Sequence, residues 1–330
     1  MTDKPYISIE DQISLLKKRN LLISDEESAK KRLTRYGYYA IINGFKDPFM
    51  VDPNNDAKGF KTGITFDHIF DLFQFDREIR HTVANSLEVF EENLSEVVAH
   101  TIAKNISDDQ DKYTQRKRYN AGKSYIYRNR TCYPIDTTIR ILNKIIVSDK
   151  QPMKHYREKH GNVPPWISVK NLTFGELIWL FTLLKKADKT ETISKMTGLD
   201  ATIVEGHINQ SKLKPMFHEL LLLYLAYRNN ASHNGRMYNF CPKKYQLTYN
   251  NYLHPTIGVS PADYRLKKGR NRIGVLIRTL RIFENFTPRI ILEVGVHFSL
   301  KRYLKLHPED KSYLLSEMEI SSQWYENELK

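Results

Sequence analysis

The 330-residue chain carries 41% hydrophobic and 12% aromatic residues with only 14 glycines and 13 prolines, so it is long enough for one large domain or two ordinary ones and is neither disordered nor low-complexity. Its 51 Lys and Arg against 38 Asp and Glu give a formal charge of +13 and a pI near 9.4, a field that attracts polyanions, nucleic acid first, although basic proteins that bind none are also common. Cys132 and Cys241 lie far apart without C-x-x-C spacing, which excludes a disulfide framework or zinc finger and fits reduced thiols in a cytoplasm.

The N-terminus, MTDKPYISIEDQISLL, has no basic leader ahead of an apolar core, and no run of roughly 18 apolar residues occurs. A soluble cytoplasmic protein with no membrane partner is expected. The pattern is mostly helical. Ser24 and Glu27 have capping-box spacing, which predicts a helix from Asp25 running into RLTRYGYYAIINGF. From Phe66 to Lys104 there is no proline or glycine, and Ile79, Val83, Leu87, Phe90, Leu94 and Val97 form an apolar stripe opposite Asp76, Arg77, Arg80, Glu88, Glu91 and Glu92. As one helix it would be roughly 58 Å long at about 1.5 Å per residue, so a break or bend is expected.

Lys112 to Arg130 holds seven basic residues, four tyrosines and no acid. Two readings fit this loop: cations on phosphates with rings stacked on bases, or a solvated surface loop with its tyrosines half buried beneath it. Pro134 opens a predicted helix through Val147. After the rigid Pro164–Trp166 approach, Thr173 and Glu176 cap GELIWLFTLLKK. Pro215 begins PMFHELLLLYLAYRNN. From Arg265 to Arg281 there are seven more basic residues, and from Ile273 they alternate with apolar positions as in an amphipathic helix. The tail is acidic, with Glu309, Asp310, Glu317, Glu319, Glu326 and Glu328 against Lys311 and Lys330. YQLTYNNYL is the best candidate for a short hairpin or extended arm. The organisation expected is an N-terminal helical region (1–65), a helical core (66–286) with a basic insertion at about 108–133, and a C-terminal helical extension packed on the core (287–330).

The apolar run LLLLYLAY ends in RNNASHNGRMYN rather than in an ordinary cap. On an ideal helix Asn229 and His233 share a face, while Arg228 stands about 100° from the first and about 140° from the second. Arg228 and His233 converge if the helix loosens near Ser232 and Asn234-Gly235. A neutral-range imidazole and an always-charged guanidinium suit RNA cleavage without a metal: the imidazole moves a proton at the ribose 2′-hydroxyl or the leaving 5′-oxygen, and the guanidinium holds the phosphate. One histidine does not readily serve as base and acid in one step, so a second copy, and hence a dimer, is implied. Taken alone the string is weak, and a polar helix end with a structural histidine is its commoner explanation. No P-loop, H-E-x-x-H or G-x-S-x-G string occurs, and His155 and His160 read as surface residues. No metal or cofactor is expected.

RNNASHNGRMYN resembles the RN-x-x-(A/S)-H-x-x-R-x-(Y/W)-N signature of the bacterial abortive-infection (Abi) family of the AbiD/AbiF type, which is HEPN-like. RLTRYGYYAIINGFKDPF is similar to that family's N-terminal motif, and FDREIRHTVANSLEVFEENL with PPWISVKNLTFGELIWLF to its central one. The resemblance implies an all-α HEPN bundle and an antiphage effector, a toxin cleaving RNA to leave a 2′,3′-cyclic phosphate across a homodimer interface. It makes Arg228 and His233 catalytic, with Asn229 assisting. Asn234 and Arg236 are then substrate contacts, as are Arg32, Arg35, Tyr36 and Lys46 of the N-terminal motif, although Tyr36, Tyr38 and Tyr39 also suit packing against the bundle. Lys117 and Arg118 of the insertion and Arg270 and Arg272 of the basic segment are further RNA contacts on charge alone. The RNA is a cellular or phage transcript, and some relatives look like toxins held in check by a structured non-coding RNA. Two other readings stand beside this one: a non-catalytic effector that sequesters RNA or a partner, and a scaffold in which His233 belongs to a structural polar network.

Overall fold

A computed structural model describes residues 6–205 and 213–327; Glu328 and Lys330 of the acidic tail, and residues 1–5, lie outside them. The fold is all-α. Among the described residues the strands are β1 (Tyr125–Tyr127) and β2 (Arg130–Cys132), antiparallel with Tyr125 opposite Cys132. YQLTYNNYL forms no strand: the Leu247 N–H goes to Arg270 O, Thr248 N–H to Glu219 Oε2, and the Asn250 side chain accepts from Tyr252 and Leu253. Its backbone groups are taken by distant partners, which leaves no ladder to form.

The chain divides into two compact units, Met1–His81 with Arg236–Tyr238 and Val294–Lys330, and Thr82–Gly235 with Asn239–Glu293. In the first, α1 (Ile9–Lys18) is capped by Ser8. Helix α2 (Glu26–Tyr36) starts one residue later than expected because Asp25, not Ser24, is the cap, its carboxylate accepting the Ser28 N–H at 2.9 Å. It stops at Gly37, whose φ of +86° leaves the helical region, and YAIIN follows as a separate π-helical turn. Gly59 (φ +70°) lets the chain pass under α1: a Cβ there would lie 2.5 Å from Arg19 O, which accepts the Phe60 N–H at 2.7 Å.

Helix α3 (Phe66–Asn105) is one uninterrupted helix of 40 residues, and the expected break is absent. No proline or glycine interrupts its ladder, and tertiary packing supports a length at which an isolated helix would fray. Its stripe is buried at Ile79, Val83, Leu87, Phe90 and Leu94, but Val98 rather than Val97 takes the next core position, because a 3.6-residue period drifts against a strict three-and-four pattern.

In the second unit α4 (Pro134–Ile146), α5 (Met153–His160), α6 (Phe174–Leu183), α7 (Lys186–Thr197), α8 (Leu213–Ser232) and α9 (Ile273–Thr279) follow. The Thr173–Glu176 capping box forms as predicted, but α6 ends at Leu183 because Leu184 turns extended (ψ 152°). Helix α9 is not amphipathic: Ile273 to Ile277 and Thr279 are all buried. Phe90 organises this core, meeting Tyr224 and Phe283 edge-on with centroids 4.9 Å away in each case, while the Tyr224 hydroxyl donates to Thr279 at 2.9 Å. Helices α10 (Thr287–Leu306) and α11 (Lys311–Met318) follow, and a short helical turn at Ser322–Glu326 comes after them.

Replacing the fully buried Leu94 with Ala is expected to cost about 2–5 kcal/mol in urea unfolding. The half-buried Val97 should cost about 1 kcal/mol or less on the same change. Equal losses at the two positions would contradict the helix register.

Candidate active site at the end of helix α8

The apolar run Leu220, Leu221, Leu223, Tyr224 and Tyr227 locks α8 into the core. Tyr227 is fully buried, its hydroxyl donating to Asn271 O at 2.9 Å. This packing leaves Arg228 and Asn229 half-exposed on the last turn. The helix stays regular through Ser232, whose hydroxyl bonds back to Arg228 O at 3.0 Å. The loosening expected near Ser232 is confined to the following turn, where Asn234 takes a left-handed φ of 57° and Gly235 N–H reaches Asn230 O at 2.8 Å. A side chain at 235 would meet the Asn230 amide oxygen at 1.9 Å. His233 stands exposed on this turn, and its ring makes no hydrogen bond among the described residues.

Arg228 is less free. Its Nη2 lies 3.4 Å from Glu91 Oε2 and its Nη1 3.4 Å from Asn229 Oδ1. It lines a cavity of about 770 Å³ with Glu88, Glu91, Glu92 and Glu96, and neither Asn229 nor His233 is in that lining. Burial pushes the Glu91 carboxyl up, against the pull of Arg228. An anion approaching through this cavity therefore meets four carboxylates and, besides Arg228, one further cation, Lys170, which pairs with Glu96 at 2.8 Å, and this cavity does not bring Arg228 and His233 together. Glu91 is the partner that sequence reasoning missed; it was visible only as one acid on a charged helix face.

Past Gly235 the motif enters the other unit. Arg236 Nη1 donates to Gly44 O at 2.7 Å and lies 3.5 Å from Asp47, inside the N-terminal motif. Met237 and Tyr238 both give their backbone N–H to Asp76 Oδ1 at 2.7 Å. Asp76 is fully buried, which corrects its assignment to the charged face of α3; Leu72, Phe73 and Ile79, its neighbours at helical spacing, are apolar and buried, and that was the available signal. Its Oδ2 has no hydrogen-bond partner among the described residues. Burial pushes the carboxyl up to about 6, with the Tyr238 and Met237 amides opposing.

The remaining predicted contacts fall into two groups. Arg32 pairs with Asp67 and lies over the Phe70 ring at 4.3 Å, and Lys46 is nearly buried against Asp56. Tyr36 packs on Phe70 and Phe73, with the Arg77 guanidinium lowering its hydroxyl pKa. Tyr38 is half-buried and Tyr39 exposed. Arg270 stacks on Tyr264 at 4.3 Å, Arg272 donates to Asn239 O at 2.9 Å, and Arg118 is half-buried. Arg35, Lys117 and Asn234 face solvent. In the basic insertion Tyr113 and Tyr119 are buried while Tyr125 and Tyr127 are exposed, so each reading of that loop fits two of its tyrosines.

No described helix is long and apolar enough to cross a membrane. A family model described as Abi-like protein matches residues 31–239. No curated protein and no solved structure matches the chain.

Because Asp76 titrates above the ordinary carboxylate value of about 3.9, its contribution to stability should be full below about pH 4, fall between about pH 4 and 6, and stay low above that. Urea midpoints of wild type and Asp76→Asn across this range should diverge in slope, by about 3 kcal/mol over the window for a shift of about two units. Parallel profiles would show that Asp76 is ionised throughout.

Proposed function

From the premise that the chain belongs to the Abi-like protein family, and so to abortive infection as a phage defence, we propose that it acts as a HEPN-type, metal-independent endoribonuclease. The observation that carries this reading is the delivery, at the end of α8, of a half-exposed Arg228 and Asn229 and an exposed, unbonded His233 within the matched segment. Arg228 holds the scissile phosphate as negative charge builds on its oxygens, and Asn229, already in contact with that guanidinium, fixes its fork. His233 takes the 2′-hydroxyl proton or protonates the leaving 5′-oxygen, and a second copy of the chain supplies the complementary group. The products are a 2′,3′-cyclic phosphate and a 5′-hydroxyl. Substrate binding on this scheme requires Arg228 to exchange Glu91 for phosphate. The RNA is a cellular or phage transcript, with a cognate non-coding RNA as a further partner.

A second reading, a non-catalytic effector that sequesters RNA or a partner, is favoured by that same Glu91 pairing and the acidic cavity around it. The two readings differ in what His233 does.

With a mixed cellular RNA pool in EDTA, wild type is expected to cut and His233→Ala to be slower by about 10²-fold or more while still binding RNA. Mapped termini should be cyclic phosphates and 5′-hydroxyls. Salt-dependent binding by both proteins with cutting by neither would select the binding effector. Glu91→Gln should tighten RNA binding by releasing Arg228, and unchanged affinity would remove the exchange step.

A further inference from the structure

Within the first unit, away from the motif residues in sequence, two histidines and three carboxylates converge. His68 lies on the first turn of α3, His307 directly follows α10, and Glu309 is in the Pro308–Asp310 turn before α11. The two imidazoles stack with centroids 3.8 Å apart and planes 5° from parallel. Each Nε2 meets its own carboxylate, His68 with Asp310 at 2.8 Å and His307 with Asp71 at 2.9 Å. Each Nδ1 lies 3.9 Å from the same oxygen, Oε1 of Glu309.

With the ring proton held at Nε2 by a carboxylate, Nδ1 presents a lone pair. Two lone pairs and one carboxylate oxygen then face one another, the three ligand atoms lying within 4.8 Å, and together they form a cluster of acceptors that a shared cation would satisfy. Protons on both rings are one solution, but two imidazolium ions stacked at this distance repel. A single divalent cation satisfies all three acceptors at once.

We propose that His68, His307 and Glu309 bind one divalent transition metal ion of the zinc class, with solvent in the fourth position. Two imidazoles and a carboxylate are borderline donors suited to such an ion rather than to magnesium or calcium. Asp310 and Asp71 act behind the ligands, fixing each tautomer and ring orientation as carboxylates do in histidine metal sites. Asp310 also accepts from the Tyr303 hydroxyl and is committed to that outer role. Tetrahedral bonds of about 2.0–2.2 Å bring ligand atoms to about 3.4 Å from one another. Glu309, 60% exposed, closes that gap by a side-chain rotation, and the rings tilt from parallel so that their in-plane lone pairs point at one centre. The ion ties the start of α3 to the turn after α10. It shares no residue with Arg228, Asn229 and His233.

The test uses the full chain, stripped with EDTA, desalted, and titrated with zinc chloride by calorimetry and with cobalt chloride by visible absorption. Expected are one ion per chain, the intense absorption of tetrahedral cobalt, and a higher melting temperature in zinc. Glu309→Gln and His307→Gln should weaken binding at least about tenfold, and Asp71→Asn by about 10- to 100-fold. His155→Ala with His160→Ala, which removes the other close pair of histidines, should leave binding unchanged. Absence of stoichiometric binding, or binding indifferent to Glu309→Gln, overturns the proposal. Should His307→Gln fail to fold, the exposed Glu309 position decides alone.

Discussion

Asp76 sits in α3 with no exposed surface, and one of its oxygens accepts the N–H groups of both Met237 and Tyr238. A carboxylate removed from water without partners is costly enough to expel its charge or its backbone neighbours, so these two bonds constrain the chain that supplies them. Met237 and Tyr238 are themselves buried, and the Tyr238 ring contacts Phe45 and Tyr313. The three residues Arg236 to Tyr238 therefore belong to the first unit, although the residues before and after them belong to the second. In chain order the turn bearing His233 falls between the last turn of α8 and the residues that this clamp holds.

Electrostatics divides the basic excess in two. Arg32, Lys46, Arg228 and Arg236 each face an acid of their own unit, respectively Asp67, Asp56, Glu91 and Asp47. Net charge therefore describes long-range attraction for a polyanion better than it describes which cations are available on contact. The Arg228–Glu91 pair is partly open, with the guanidinium 35% exposed. On the proposed scheme a phosphate, offering stronger charge and bidentate geometry than one carboxylate oxygen at 3.4 Å, competes with Glu91 for this guanidinium. The acidic cavity opposes entry of an anion from that side, so on the proposed scheme RNA would meet Arg228 from the solvent face of the α8 turn.

The cluster at His68 and His307 follows another logic. Its polar atoms lie against the rings of Phe49 and Tyr303, and the apolar shell strengthens every interaction inside it. Two carboxylates that each hold one imidazole nitrogen leave the other nitrogen available, an arrangement suited to a shared cation. Its members come from either end of the chain, so no local spacing announced it.

The sequence by itself determined the helical class, the Thr173 capping box and the turn at Asn234-Gly235, and it marked the proline- and glycine-free stretch of α3 but not that this stretch runs unbroken for 40 residues. All of these rest on side chains three or four residues apart and on backbone preferences that neighbours in sequence satisfy. The four strings that match the family's motifs were equally legible, being local runs of residues. Less legible were single-residue matters of phase and capping: Asp25 in place of Ser24, Val98 in place of Val97, and the early end of α6. Only the tertiary structure decided the electrostatic setting of each polar group: that Asp76 is buried, that Glu91 already holds Arg228, that Lys46 is spent on Asp56, and that His68 stacks on His307. The reason is that a charge takes its environment from whichever residues folding brings within a few ångströms, and those are mostly remote in the chain.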